Sequence, residues 1–296
     1  MIFKRILIVG GGAIGSCYGA YLSRGNDLTL ICRAAHAEAV NSHGLVVSGA
    51  LEGTFRLKAS TQVTEVQPQT LILLTTKAQD VAEAARALEP SLRADTVILA
   101  LSNGLRIKET IQEMTGSRFE VVRGLTFMAA ELFEPGRVAC WAGTTLIERT
   151  KTGEEIRALF ARSGLRAELT EEIKKEEWKK LIINCIINPL TAVLRARDNE
   201  IAAPILKDVR GSLFEECASV AEAEGVRLDR NFETEVERKI TGYTNYSSMY
   251  QDLAKGKKTE IAFLNGTVVE LGRKHGIRTP VNEAMVGLIR FLEGKR

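Results

Sequence analysis

The 296-residue sequence predicts an α/β fold, a doubly wound parallel sheet, followed by an all-α C-terminal domain. Between residues 6 and 163, short apolar runs alternate with segments of helical spacing, which is the pattern of parallel strands joined by helices. From residue 171 onward only the helical spacing remains. We therefore place a first domain at residues 1–170 and a helical domain at residues 171–296.

Each element of the first domain follows from its own apolar run. An early helix is expected to end at Leu22, and the C-terminal end of the domain is expected to add two antiparallel strands and a last helix, at 138–143, 144–149 and 154–163. The parallel strands and the helices between them are expected at 6–9, 28–32, 71–75, 81–88, 96–99, 107–114 and 121–124.

A glycine-rich turn lies between the first strand and the first helix. Gly10, Gly12 and Gly15 fit the pattern G-x-G-x-x-G, in which the second glycine lets a pyrophosphate approach the backbone. The N-terminus of the helix then offers oriented N–H groups to the phosphates. This context predicts a Rossmann-type, dinucleotide-binding domain whose contacts run through Gly10, Gly11, Gly12, Ala13, Ile14 and Gly15.

The residue after the second strand indicates which nucleotide is used. An acidic residue there would accept the ribose 2′-hydroxyl of NAD, but this chain has Arg33. A guanidinium suits the 2′-phosphate of NADP, so we expect NADP(H); the alternative is a solvated surface arginine. Lys77, Asn103 and Thr126 follow the next three strands, at the edge where ligands bind in such sheets.

The overall composition excludes several classes of function. The net charge is only +3 with both signs interspersed, so no nucleic-acid partner is expected. The five cysteines are scattered without a CxxC pair, which argues against a disulfide framework and against a zinc or other metal site. The apolar start mimics a signal peptide, but its glycines belong to the nucleotide motif. We expect a cytoplasmic protein without a membrane partner.

A polar stripe interrupts the apolar segment "WKKLIINCIINPLTAVL". Lys180, Asn184 and Asn188 recur every four residues, so an α-helix aligns them on one face, which we expect to border a cleft. Pro189 has no N–H for the carbonyl of Cys185, so the helix is expected to kink or open there.

The helical domain offers two further candidates for a site. Helices are expected at 171–194, 202–224, 231–241, 246–255, 259–275 and 282–293. With Thr259 as N-cap, Glu260 would lie in a first helical turn, where the helix dipole keeps a carboxylate ionised. An ordinary helix-start glutamate is the alternative. Ser247 and Ser248 mark a loop that enters a helix.

Taken together, these segments resemble one family over nearly the whole chain. The polar-striped helix, "SSMYQDLAKGKKTEI" with "FLNG" after it, "SNG" at 102–104, "TTKAQD" at 75–80 and the glycine-rich start are similar to 2-dehydropantoate 2-reductase, or ketopantoate reductase. The family reduces ketopantoate to pantoate with NADPH, a step toward pantothenate and coenzyme A.

The resemblance implies a role for each matching residue. Lys180 matches the family's general acid, and Glu260 the carboxylate that binds substrate hydroxyls. The other matches to substrate-binding residues are Asn103, Asn184, Asn188 and Ser248. The other matches to cofactor contacts are Arg33, Lys77, Asn103 and Ala130.

The chemistry of the residues agrees with these roles, because hydride addition to a ketone needs a proton donor and positive charge near the developing oxyanion. Burial is expected to lower the pKa of Lys180 toward neutrality. One departure concerns Asp198-Asn199-Glu200, where many family members have Asn-Gly-Glu. Either Asn199 takes over substrate binding, or the preferred 2-oxo acid differs from ketopantoate.

The sequence leaves three alternative functions open and predicts two binding partners. The chain could reduce another branched 2-oxo acid, or could act on glycerol 3-phosphate, although the signature lacks the arginine cluster a phosphate needs. A non-catalytic NADPH sensor would be expected to have lost Lys180 or Glu260, and both are present. The partners are a small 2-oxo acid and, in a homodimer, a second copy of the chain.

Overall fold

The computed structural model describes residues 3–242 and 244–295. The chain divides into two compact units, Met1–Ile173 (unit 1) and Lys174–Arg296 (unit 2). In the described part of the chain, no helix combines the length and hydrophobicity needed to cross a bilayer. Within the same residues, no group of three or more His, Cys, Asp or Glu side chains is arranged to hold a metal ion.

The strands and helices that the apolar runs predicted are present in unit 1, and the described residues add one α-helix and five strands that those runs did not predict. The elements, in chain order, are β1 Arg5–Val9, α1 Ala13–Leu22, β2 Leu28–Ile31, α2 Ala34–His43, β3 Leu45–Gly49, β4 Gly53–Phe55, β5 Lys58–Ser60, β6 Thr70–Leu74, α3 Val81–Leu88, β7 Val97–Ala100, α4 Ile107–Thr115, β8 Glu120–Thr126, β9 Ala129–Glu134, β10 Arg137–Trp141, β11 Thr144–Glu148, α5 Lys151–Arg162 and β12 Arg166–Thr170.

Eight strands form the main sheet, in the order β12-β11-β8-β7-β6-β1-β2-β5. All neighbours run parallel except β8 and β11, and the central strands β6 and β7 are buried throughout. From β1 the chain proceeds to β2 on one side and later to β6 on the other, which creates a switch point between β1 and β6. The predicted α/β class is confirmed.

A second, four-stranded sheet has the order β4-β3-β10-β9 and was not predicted. The two runs expected to extend the main sheet together belong to different sheets. β10 pairs parallel with β3 and antiparallel with β9, whereas β11 pairs antiparallel with β8 in the main sheet. That expectation was therefore wrong for β10, because its partner β3 lies far away in the sequence.

Cys17 and Cys140 form a disulfide, although the scattered cysteines had argued against a disulfide framework. The bond joins α1 to β10 across a sequence separation of 123 residues. Both side chains are fully buried in the core that α1 shares with the two sheets. The spacing of the cysteines in the sequence does not predict this pair, because only the packing of α1 on the second sheet brings the two residues together.

Unit 2 is helical, as predicted. Its α-helices are α6 Ile173–Leu194, α7 Lys207–Ala223, α8 Phe232–Gly242, α9 Ser248–Ala254, α10 Asn265–His275 and α11 Pro280–Gly294. Three features differ from the sequence predictions, the first being α7, which begins at Lys207 rather than near residue 202. Helix α6 continues through Pro189 without opening, and α10 begins at Asn265 rather than near residue 259, after a short 3-10 turn at Ile261–Phe263.

Candidate active site

The glycine-rich turn has the shape that a bound pyrophosphate requires. Gly10 has a φ of +106°, and a Cβ there would lie 2.5 Å from the backbone nitrogen of Thr76. At Gly15 a Cβ would lie 2.3 Å from the carbonyl oxygen of Gly10. A Cβ at Gly12, in contrast, would meet no atom within 4 Å. The motif is thus tightly packed on the sheet side and open where the phosphates would approach.

The N-terminus of α1 adds an electrostatic reason for anion binding. Its N-cap is Gly12, so no side chain caps the helix, and its first turn contains no acidic residue. The positive end of the helix dipole is therefore not neutralised by its own first turn. These residues fit the diphosphate of a nicotinamide dinucleotide.

Three further residues predicted to contact the cofactor or the substrate lie at the same edge of the main sheet. Arg33 follows β2, Lys77 follows β6 and Asn103 follows β7, and these strands run parallel to β1. Arg33 is exposed, whereas Lys77 and Asn103 are half-buried. Thr126 differs from them, because it is the last residue of β8 and its buried hydroxyl accepts the N–H of Met128.

A buried arginine that the sequence did not reveal supports the loop of Asn103. Arg123, on β8, is 2% exposed. Its guanidinium donates hydrogen bonds of 2.6–3.2 Å to four backbone carbonyls, those of Ala100, Ser102, Gly104 and Gly124. Two of these carbonyls flank Asn103 directly. Arg123 therefore fixes the backbone from which Asn103 projects.

A buried histidine ties the segment after Arg33 to the glycine helix. The ring of His36, on α2, accepts the N–H of Gly136 at Nδ1 (2.9 Å) and meets the hydroxyl of Ser16 at Nε2 (3.0 Å). Because Nδ1 accepts a hydrogen bond, the neutral ring carries its proton on Nε2. Burial lowers the pKa of His36, which favours this neutral form.

Ala130 lies on β9, in the second sheet, where it pairs with Cys140. Its half-buried side chain packs against the same core as Ala13 and Ile14 of the glycine motif. The second sheet, which the sequence did not predict, therefore places Ala130.

Helix α6 of unit 2 carries the predicted polar stripe. Lys180 and Asn184 are half-buried, and Asn188 is 6% exposed. The neighbouring Lys179 has a structural role, since its ammonium pairs with Glu176 (3.1 Å) and Asp229 (2.8 Å). Of the two adjacent lysines, Lys180 is the one that shares a face of the helix with the asparagines.

Glu260 is buried, but its position differs from the prediction. It precedes the 3-10 turn and lies five residues before α10, so the argument from the dipole of that helix was wrong. Thr259 is not the N-cap; its N–H and hydroxyl both donate to Glu293 at 2.7 Å. The apolar stripe that suggested a longer helix continues through the 3-10 turn. Anchoring of Thr259 on α11 sets the position of Glu260.

The serine pair is divided between two environments. Ser247 is buried and is the N-cap of α9, where its Oγ accepts the N–H of Tyr250. It also accepts the hydroxyl of Thr191, on α6, at 2.7 Å. Ser248, predicted to bind substrate, is exposed at the first position of α9. The contact between Ser247 and Thr191 ties α9 to α6 near Asn188.

Asp198 and Asn199 begin the 3-10 segment Asp198–Ala202. Asp198 is 4% exposed and accepts a 2.8 Å hydrogen bond from Asn245 at Oδ2, and the backbone of Ser247 also interacts with its carboxylate. Desolvation by burial raises the pKa of Asp198 to about 7, against the hydrogen bonds that lower it. Asn199 is half-buried, and its Oδ1 has no partner.

Comparison with known proteins identifies the family. The model of ketopantoate reductase PanE/ApbA matches residues 6–154, and that of the ketopantoate reductase PanE/ApbA C-terminal region matches residues 172–293. A 2-dehydropantoate 2-reductase of Pyrococcus horikoshii is 35% identical over 98% of this chain and 97% of its own length.

Solved structures show the same relationship. A PanE/ApbA family ketopantoate reductase from Ralstonia eutropha JMP134 has a TM-score of 0.93 and 32% identity, over 98% of this chain and 99% of its own. A D-mandelate dehydrogenase, in complex with NADH and anilino(oxo)acetate, has a TM-score of 0.88 and 28% identity, over 98% of both chains. With the site residues on both units, these matches show that the chain belongs to the ketopantoate reductase family.

Proposed function

We propose that the chain reduces 2-dehydropantoate (ketopantoate) to pantoate with NADPH, in the pathway to pantothenate and coenzyme A. The observation that carries the proposal is the row of Lys180, Asn184 and Asn188 along one half-buried face of α6, in a chain of this family. A nicotinamide nucleotide, when bound, would supply the hydride that C2 of the substrate accepts.

Lys180 is proposed to be the general acid. As negative charge develops on the substrate oxygen, the ammonium stabilises it and then transfers a proton to it. Partial burial strengthens this interaction because less water competes for the oxyanion. The neutral amides of Asn184 and Asn188 orient the 2-oxo acid without adding charge.

Glu260, Ser248, Asn199 and Asn103 are proposed to complete the substrate contacts. The carboxylate of Glu260 accepts hydrogen bonds from substrate hydroxyls and balances the charge of Lys180. Asn199 is proposed to supply the amide that Asp198 replaces, which agrees with a side-chain oxygen that no internal hydrogen bond uses.

We propose NADPH rather than NADH as the cofactor. Gly10, Gly11, Gly12, Ala13, Ile14 and Gly15 would hold the diphosphate with Lys77 nearby, and Ala130 would line the same region. Arg33 would pair with the 2′-phosphate, because a guanidinium binds phosphate through two hydrogen bonds and offers no acceptor to a hydroxyl. The D-mandelate dehydrogenase was solved with NADH, so this preference needs a direct test.

A second candidate function is the reduction of a different 2-oxo acid. Two observations favour it: the presence of Asp198 at the departure from the family pattern, and the similarity to a D-mandelate dehydrogenase. A non-catalytic NADPH sensor is less consistent with the chain, because Lys180 and Glu260 are both retained.

The test compares NADPH oxidation with ketopantoate and with other branched and aromatic 2-oxo acids. We expect the highest kcat/KM with ketopantoate, and a loss of about a hundredfold or more in kcat for Lys180→Ala. Lys179→Ala is the matched control, since it removes the adjacent lysine and its ion pairs and should keep kcat. Equal kcat values for Lys180→Ala and the wild type would refute the role of Lys180.

Cofactor preference is tested separately. Arg33→Ala should raise KM for NADPH roughly tenfold and leave KM for NADH unchanged, because only the 2′-phosphate contact is lost. Arg56→Ala, also exposed in unit 1, is the control. Cytoplasmic location and a homodimer stay predictions, to be tested by cell fractionation and by light scattering.

A further inference from the structure

Pro189 leaves one backbone carbonyl of α6 without its helical donor. In an α-helix the carbonyl of Cys185 would accept the N–H of residue 189, but proline has none. The site is in the core of unit 2, where Cys185 and Pro189 are both buried. A buried carbonyl without a partner costs about 1–3 kcal/mol, so some other group is expected to satisfy it.

That group is the side chain of Asn265, the first residue of α10. Its Nδ2 donates to the carbonyl of Cys185 at 2.9 Å, and Asn265 is fully buried. The second N–H of the same amide donates to Oδ1 of Asn282, also at 2.9 Å. Both protons of the Asn265 amide are therefore used, and they allow this side chain only one orientation.

Asn282 is fixed in turn by Glu216, on α7. One carboxylate oxygen of Glu216 accepts both the backbone N–H (2.9 Å) and the side-chain Nδ2 (2.7 Å) of Asn282. The other accepts the N–H of Val281 at 2.8 Å. The chain from Glu216 through Asn282 and Asn265 thus connects the start of α11 to the carbonyl of Cys185 on α6.

The position of this carbonyl in α6 gives the contact its importance. Cys185 directly follows Asn184, and Pro189 directly follows Asn188. The turn in which the helical hydrogen bond is missing therefore contains Asn188 and directly follows Asn184. Any change in the path of α6 at Pro189 would move Asn188 relative to Asn184 and to Lys180, which lies one turn before Asn184 and about two turns before Asn188.

We propose that Asn265 is a positioning residue for the polar stripe of α6, and that it acts through the carbonyl that Pro189 leaves free. The inference deepens the proposed function and rests on it for the roles of Lys180, Asn184 and Asn188. Asn265 is not proposed as a catalytic residue, because its amide donates to the backbone of α6 and to Asn282. Its effect on turnover comes from fixing the geometry of the stripe.

A double-mutant cycle tests the proposal directly. Asn265→Leu removes both donors at similar volume, and Pro189→Ala gives residue 189 an N–H that can satisfy the Cys185 carbonyl without Asn265. We expect Asn265→Leu to lower kcat/KM roughly thirtyfold in the wild-type background, mainly through kcat, but only about threefold beside Pro189→Ala. The loss of the Asn282 contact is common to both backgrounds and cancels.

Equal losses in the two backgrounds would overturn the proposal, because a general packing defect does not depend on the N–H at residue 189. Thr115→Val is the matched control: it removes a buried hydroxyl that donates to the carbonyl of Ile111 at 2.8 Å in unit 1. It should change kcat/KM less than twofold. If Asn265→Leu does not fold, Asn265→Ser, which is too short to reach the carbonyl, takes its place in the cycle.

A second measurement separates this inference from the proposed function. Amide hydrogen exchange of residues 184–194 should become faster in Asn265→Leu and return toward wild-type rates in the double variant, whichever substrate the enzyme uses. If the wild type reduces no 2-oxo acid, the proposed function fails and the exchange cycle still tests whether Asn265 holds the turn. Unchanged exchange in Asn265→Leu would contradict the positioning role on its own.

Discussion

The loop that carries Asn103 and the helix that carries Lys180 are held in place by opposite chemistry. In unit 1, one buried cation, Arg123, donates to four carbonyls around the loop. In unit 2, two neutral amides, Asn265 and Asn282, form a chain to a single carbonyl of α6. Both devices satisfy backbone groups that regular secondary structure leaves over.

Because of this difference, removing the supporting side chains should have different effects in the two units. Loss of the Arg123 guanidinium leaves four carbonyls without this donor at once. In the amide chain the hydrogen bonds donated by Asn265 are neutral and therefore individually weaker. The chain ends on the carboxylate of Glu216. Unit 2 also contains the buried carboxyl of Asp198. We therefore expect larger effects from loss of the support in unit 1, and smaller effects from the amide chain together with a pH-dependent contribution from Asp198 in unit 2.

The largest effect is expected from Arg123→Met. It should lower the free energy of unfolding of unit 1 by about 4 kcal/mol, because the carbonyls around Asn103 lose their donors. Denaturant unfolding followed by the fluorescence of Trp141, the tryptophan of unit 1, in a Trp178→Phe background measures it. Arg106→Met, which removes an exposed pair with Glu113, should change stability by less than about 0.5 kcal/mol.

The disulfide should have the next largest effect. Replacing Cys17 and Cys140 together by serine, or reducing the bond, should cost unit 1 about 3 kcal/mol, because the unfolded chain regains the freedom of a long closed loop. Unit 2, followed by Trp178 in a Trp141→Phe background, should be unaffected. Cys32→Ser is the control for loss of a free thiol. Equal unfolding midpoints with and without reductant would contradict the expectation.

The third effect depends on pH. Burial raises the pKa of Asp198 to about 7, so the folded state binds this proton more tightly than the unfolded state. The stability contributed by that proton is full below the unfolded pKa of about 4 and is lost as the pH rises toward 7. Asp198→Asn should therefore stabilise unit 2 by about 2 kcal/mol at pH 8 and very little at pH 4.

Unfolding curves recorded from pH 4 to pH 8 measure this difference, and the exposed Asp208→Asn serves as the control. A constant difference between Asp198→Asn and the wild type across this range would show that the carboxyl does not titrate as inferred.

The smallest effect is expected from Glu216→Gln. The amide keeps one acceptor for the N-terminus of α11 but loses the negative charge that favours that end of the helix, which should cost about 1 kcal/mol. Denaturant unfolding of unit 2 measures it, with the exposed Glu215→Gln as the neighbouring control. A loss as large as that of Arg123→Met would remove the contrast between the two supports.

The sequence predicted the main sheet and the helical unit because their elements bury long apolar runs. It missed the second sheet because β4 has three partly or fully exposed residues and β3 pairs with a strand some ninety residues later. Local hydrophobicity contains no information about such pairing. The early start assigned to α10 has a similar cause, since a 3-10 turn preserves nearly the same apolar spacing as a helix.

The candidate site was predictable where chemistry and spacing coincide, as in the glycine motif and the stripe of Lys180, Asn184 and Asn188. The residues that hold this site in place could not be predicted from the sequence. Arg123 reads in the sequence as a single charge in a strand, and Asn265 as an amide in a helix. Their roles exist only once the carbonyls they satisfy are known.

The contact between Gly15 and Gly10 has a consequence for the energetics of nucleotide binding. With Gly10 against Thr76, and Thr75 donating to the Gly10 carbonyl at 2.9 Å, the turn, the first residues of α1 and the end of β6 form a single rigid piece. The loop is thus ordered when the chain folds rather than when a ligand arrives. A diphosphate bound at the proposed site would meet a preshaped surface, so little of its contact energy would be lost to immobilising the protein.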